Sequence, residues 1–114
     1  MKRGEIWTVA AGPDYAGKPR PALIVQDDRF DGIDSLTLCL FTSQPSVTPL
    51  FRLAVEPDSL NGLRIRCCLM VDKIMTVPKS KVGKRIGRLS EQDMVRLNRA
   101  IVVFLGLASP AKTK

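Results

Sequence analysis

The strongest constraint in this chain is a series of short apolar runs, each shut off by turn-forming residues, which ends in a single change of period. Glu5–Val9 alternates around Trp7 and opens the series. Residues 11–19 are rich in Gly, Pro and Asp and read as a loop. Ala22–Val25 is a continuous apolar run, short enough for a buried strand. Polar residues Asp27–Asp34 make the next connection. Leu36–Phe41 is a second buried-type strand, ending in Thr42-Ser43-Gln44-Pro45. Phe51–Val55 alternates, Pro57–Gly62 turns, Arg66–Val71 is a further strand, and Ile74–Val77 continues or restarts it. Strands this short, spaced by turns, specify a barrel or sandwich.

The period then switches. Ser90 followed by Glu91, Gln92 and Asp93 reads as an N-cap with an acidic first turn. Met94, Leu97, Ile101 and Leu105 recur at spacings of three and four, which marks one helical face, and Gly106 stands as its stop. Residues 108–114 read as a flexible tail. With 114 residues, one domain is expected, its core over about 3–107. So thin a core makes help from a partner subunit plausible.

Hydrophobic residues make up 45% and charged residues 25%, as in an ordinary globule. No apolar run approaches the roughly 20 residues of a membrane helix, and no apolar segment follows the charged start Met1–Glu5 as a secretion signal would. A cytoplasmic protein with no membrane partner is expected. Cys39, Cys67 and Cys68 are odd in number and have no CxxC spacing. They read as buried small hydrophobes, not as a disulfide framework or a metal site.

The net charge of +7 is one-sided. Residues 1–60 hold six Lys/Arg against eight Asp/Glu, whereas 61–104 hold ten against three. That asymmetry points to a polyanion partner. The chain contains no histidine, so the usual general base and commonest metal ligand are missing. RNA suits such a toolkit, because its 2′-hydroxyl is a built-in nucleophile and the protein has only to position it and neutralise charge at phosphorus. No metal or other cofactor is expected.

Three candidates follow for the chemistry. Arg20, between Pro19 and Pro21, leaves the backbone at a restricted point and can fork onto two phosphate oxygens, unless it is simply a solvated strand-end charge. Thr42, with Ser43 and Gln44, ends a strand and offers hydroxyls to a phosphate or a 2′-hydroxyl, or else caps its own turn. Asp72 is the sole acid between residues 59 and 90 and could serve as acceptor or base, or pair with Lys73 or Arg66. Lys79, Lys81, Lys84, Arg85 and Arg88 form an acid-free run that could track a nucleic-acid backbone or be a solvated loop. Tyr15 and Phe30, in loops, could stack on bases.

These pieces together resemble the MazF/PemK/Kid toxins. Arg3-Gly4-Glu5-Ile6-Trp7 resembles their opening strand, and Arg20-Pro21-Ala22-Leu23-Ile24-Val25 their second. Thr42-Ser43-Gln44 is similar to their T-S-Q strand end. Val71-Asp72-Lys73-Ile74 with Thr76-Val77 resembles a later segment, and Ile86-Gly87-Arg88-Leu89-Ser90 the entry to the last helix. The resemblance spans roughly 3–107. It implies a mainly β fold, an SH3-like barrel with a C-terminal helix, usually a homodimer. It also implies metal-independent cleavage of single-stranded RNA, messenger RNA first among candidates, by 2′-hydroxyl attack, and a cognate antitoxin that covers the RNA groove. By position, Arg20 takes the phosphate-stabilising role, Thr42 lies beside the scissile phosphate, and Asp72 matches an acid used in some members. Tyr15, Lys18, Ser43, Gln44, Lys73, Lys79, Lys81, Lys84 and Arg85 are the expected RNA-binding residues. Met70 and Met75 depart from the pattern, standing where some or many members carry arginine. Two other readings stay open: a CcdB-like gyrase poison, whose Trp-Gly-Ile ending is absent here, and a non-catalytic RNA-binding barrel.

Overall fold

The computed structural model describes residues 1–10, 18–45 and 50–108. Six strands form one antiparallel sheet: β1 (Glu5–Val9), β2 (Arg20–Ile24), β3 (Ser35–Thr42), β4 (Arg52–Val55), β5 (Cys67–Pro78) and β6 (Val82–Arg88). Their spatial order is β4-β5-β3-β2-β1-β6. A helix, α1 (Glu91–Phe104), follows.

Period-2 alternation sorts the apolar residues onto two faces. Leu23, Cys39, Phe41, Leu69 and Val71 belong to one core cluster, which Leu97 and Ala100 of α1 cover. Ala22, Ile24, Leu36, Leu38, Leu40 and Met70 belong to a second cluster on the opposite face. All three cysteines are free and buried, in line with their reading as small core residues. Burial pushes the Cys39 thiol up to about 12, with the charge of Asp72 adding to it, so the group stays protonated.

Of the two readings for Ile74–Val77, the structure shows continuation: it belongs to the same strand, β5 (Cys67–Pro78), bent by a bulge. Cys39 pairs with Ile74 and Phe41 with Leu69, so Leu40 alone faces the four residues 70–73. The cationic run, weighed as a loop, contains strand β6, which pairs with β1. Its period was hidden because Val82 and Ile86 are its sole apolar members. Charged side chains with few apolar ones suit an edge strand, where they discourage further pairing.

The expected barrel is also not closed, because β4 and β6 are the two edges of the sheet. The chain between β4 and β5 lies against the β6 edge instead, and Leu60 C=O accepts from Arg88 N–H (3.0 Å). That approach needs Gly87, since a Cβ there would run into the backbone of Leu60 and Asn61. Buried Asn61 organises the same turn. Its Oδ1 accepts from the backbone N–H groups of Asp58 and Leu63, and its amide donates to Glu56 C=O.

The helix is capped as its sequence specifies. Ser90 Oγ accepts from Asp93 N–H (3.2 Å). At the far end Gly106 adopts φ +73°, and Leu107 N–H and Gly106 N–H donate to Val102 C=O and Val103 C=O, closing a Schellman motif. Leu105, expected on the core face, is exposed, because the helix ends at Phe104 and the chain turns away. Ala100 fills the core face in its place. No helix among the described residues is long and apolar enough to cross a membrane.

Candidate active site

Arg20 is the first residue of β2 and Thr42 the last of β3. These strands pair Ala22 with Leu40 and Ile24 with Leu38. Continuing that register two residues outward sets Arg20 opposite Thr42, on the face shared by Ala22 and Leu40. Pro21 is tolerated because the ladder to β3 begins only at Ala22. The two residues do line a common cavity of about 690 Å3, open at the end of the sheet. Thr8, Ser43, Leu63, Arg64 and Ile86 also contribute to it. Leu63 and the adjacent Gly62 come from the turn that Gly87 and Asn61 hold in place.

Thr42 performs the turn chemistry expected of it, since its Oγ1 accepts from Gln44 N–H (3.2 Å). With a lone pair engaged there, the hydroxyl still has its proton to donate. Arg20 is exposed and has an interaction partner.

Asp72 lies elsewhere. It sits in the β5 bulge and receives a two-pronged ion pair from Arg52, Nε to Oδ1 at 2.6 Å and Nη2 to Oδ2 at 2.9 Å. The partner is neither Lys73 nor Arg66. Each side chain of the pair is 20% exposed. The Arg52 hydrogen bonds hold the Asp72 carboxyl below its ordinary value, against a smaller opposing effect of burial. An ionised carboxylate bound by two nitrogens of a guanidinium is a weak base. Arg52 carries no signal in the linear sequence. Its registration opposite Met70 across β4 and β5 brings it to Asp72.

A second cavity, of about 420 Å3, adjoins the first at Ser43. It is bounded by Gln44, Arg52, Arg66 and Arg96, with Leu53, Ala54 and Cys68 between them.

The remaining candidates are dispersed. Lys18 is exposed beside Pro19, and Lys73 is exposed in the bulge. Lys79 Nζ donates to the backbone carbonyl of Asp31 and lies 3.5 Å from its carboxylate. Arg85 pairs with Glu5 (3.2 Å). Lys81 and Lys84 are exposed around the start of β6. None of these six lines either cavity. Phe30 is exposed, with the Arg29 guanidinium 5.6 Å from its ring centre. Tyr15 lies outside the described residues. No three His, Cys, Asp or Glu side chains among the described residues gather as metal ligands do.

A six-stranded antiparallel sheet followed by one C-terminal helix is the fold of a class of small toxins. The chain belongs to the PemK-like, MazF-like toxins of type II toxin–antitoxin systems, whose family profile matches residues 2–105. It is 52% identical over 108 residues to a probable endoribonuclease MazF of Mycolicibacterium smegmatis, covering 95% of this chain and 99% of that protein. It is 28% identical over 118 residues to the endoribonuclease MazF9 of Mycobacterium tuberculosis, covering 96% and 99%. In three dimensions it resembles a mycobacterial endoribonuclease in complex with its cognate antitoxin, with TM-score 0.80 and 23% identity over 96% of this chain and 99% of that one. It is also similar to a chain in a Deinococcus radiodurans MazE–MazF structure, with TM-score 0.74 and 16% identity over 95% and 98%.

Proposed function

We propose that this toxin is a sequence-specific, metal-independent endoribonuclease that cuts single-stranded RNA at the cavity holding Arg20 and Thr42. The observation that supports this reading is the meeting of those two side chains in one opening, with no histidine in the chain to act as base.

The RNA supplies the nucleophile. Its 2′-oxygen attacks the adjacent phosphorus and the bond from phosphorus to the 5′-oxygen breaks, leaving a 2′,3′-cyclic phosphate and a 5′-hydroxyl. The 2′ proton passes to water, and the departing oxygen takes one from water. Arg20 forks onto the non-bridging oxygens and stabilises the negative charge that grows on them. Thr42, its oxygen fixed by Gln44 N–H, donates a hydrogen bond to one of the same oxygens. Asp72 keeps Arg52 in place at the neighbouring cavity. In the cell, a cytoplasmic homodimer is held in check by a cognate antitoxin.

The test is incubation of purified protein with a long single-stranded RNA in EDTA, followed by mapping of the ends. Discrete fragments with 5′-hydroxyl ends, absent for Arg20→Ala, are expected. Intact RNA from a folded, antitoxin-free sample would overturn the nuclease reading, and a supercoiling assay would then separate a gyrase poison from a non-catalytic RNA binder.

A further inference from the structure

We infer that Arg64 is a second catalytic arginine, a guanidinium that reaches the scissile phosphate from the turn between β4 and β5 while Arg20 reaches it from β2. This rests on the nuclease reading above. Both arginines line the 690 Å3 cavity, and no carboxylate side chain among the described residues lines it. Arg64 is exposed and makes no ion pair among the described residues. Two positions on, Arg66 lines the smaller cavity and pairs with Glu56 at 2.9 Å. The turn therefore presents one arginine whose charge is answered by a neighbour and one whose charge is left for an anion.

The backbone is pinned on both sides of this residue. Before it, Leu63 N–H donates to Oδ1 of buried Asn61 (3.0 Å), and the Leu63 side chain packs against the core. Gly62 adopts φ +68° and lies so close to β6 that a Cβ would run into Ile86 C=O. After it, the thiol of buried Cys67 donates to Ile65 C=O (3.4 Å). Arg64 thus leaves the chain from a fixed point at the cavity wall, and solubility alone asks for no such support. The chemistry gives a second cation something to do. Once the 2′ proton has passed to water, attack of the 2′-oxygen takes the phosphoryl group from one negative charge towards two. One guanidinium answers the charge already present in the bound strand. A second one, forked onto the same group, answers the charge that attack adds.

The experiment compares wild type, Arg64→Ala and Arg64→Lys on a short single-stranded RNA. It measures kcat and KM for cleavage and, with a 2′-deoxy residue at the scissile position, the Kd over a series of salt concentrations. Arg64 is exposed, so both variants should fold. Arg64→Ala should lower kcat by about 10–100-fold, as for one charged hydrogen-bonding group, and should flatten the dependence of log Kd on log salt by about 0.7, the contribution of one phosphate contact on a single strand. Arg64→Lys should restore the salt slope but not the full rate, because an ammonium keeps the charge without the fork. Replacing one non-bridging oxygen of the scissile phosphate by sulfur gives two diastereomers, and the rate penalty of one of them should shrink in Arg64→Ala. An unchanged rate and salt slope in Arg64→Ala would overturn the assignment while wild-type cleavage kept the nuclease reading intact. So would a rate loss with both sulfur penalties undiminished, since Arg64 would then act away from the phosphate. If folded wild type cuts nothing, both the nuclease reading and a catalytic Arg64 fall, and the salt slope then separates a phosphate-binding arginine from an idle one.

Discussion

The two cavities share Ser43 but hold their polar groups in opposite ways. In the larger one, Arg20 and Thr42 stand at the outer ends of β2 and β3, and Thr42 is held by a backbone N–H that leaves its proton to give. In the smaller one, Arg52 and Arg96 are bound to carboxylates, and Asp72 is spent on Arg52. A hydroxyl held as that of Thr42 is can turn its hydrogen to charge that grows during a reaction. Arginines held as Arg52 and Arg96 are can shape a surface but add little when charge develops, because their fields are already answered.

Substitutions can break or sharpen this contrast. The largest effect should come from Arg20→Ala, which removes a cation that lines the same cavity as Thr42. A loss of about 100–1,000-fold in kcat is expected, with an unchanged circular dichroism spectrum. A rate within a few-fold of wild type would move the chemistry away from this cavity. Thr42→Ala should cost about 10–100-fold, as for one neutral donor aimed at developing charge, and Thr42→Ser should restore most of it. Equal rates for all three residues at position 42 would reduce the hydroxyl to a turn former.

Gly87→Ala tests the wall of the larger cavity through its support. Displacing the Leu60 and Asn61 backbone should lower stability by about 1–3 kcal/mol, read from denaturant melts, and raise KM through the shifted Leu63. A neutral substitution would mean that the β4–β5 turn rests on β6 more loosely than its hydrogen bonds imply.

The smallest effect belongs to the smaller cavity. Asp72→Asn should cost about 1 kcal/mol at neutral pH, with a modest change in rate. The pH dependence has a definite sign. The Asp72 carboxyl titrates below its ordinary value of 3.8 in the folded chain. The pair's contribution is therefore complete above that value and is lost as pH falls through the lower, folded one. Melts from pH 5 to 2 should show a shallower decline for Asp72→Asn than for wild type. A collapse in kcat instead, with the fold intact, would return Asp72 to the role of base.

The contrast also marks what the linear sequence could reveal. Arg20 and Thr42 stood out through the resemblance to known toxins, because a strand-end arginine and a turn threonine carry little signal alone. Their lining one cavity follows from the register of β2 against β3, which the sequence did not specify. Arg52 was not legible. It is one cation in an alternating strand, and its meaning depends on lying opposite Met70 in a neighbour 18 positions further along. Strand β6 was missed for a related reason. An edge strand with two apolar residues has no period to read, and β1 supplies the order that its own sequence lacks. The helix caps at Ser90 and Gly106 were readable because capping is local. The exposure of Leu105 was not, because it depends on where the last turn meets the sheet.

The bulge in β5 has a consequence for how the molecule comes apart. Twelve residues of straight strand would span about 40 Å. With four residues of β5 facing Leu40 alone, one uninterrupted segment turns a corner and serves two ladders, with β4 and the end of β3 on one arm and the start of β3 on the other. A loop at that corner would have added closure entropy and a point of independent fraying. A corner made of strand ties the arms into one cooperative unit. Amide exchange in residues 67–71 and 74–77 should therefore proceed through the same opening event, at the same free energy.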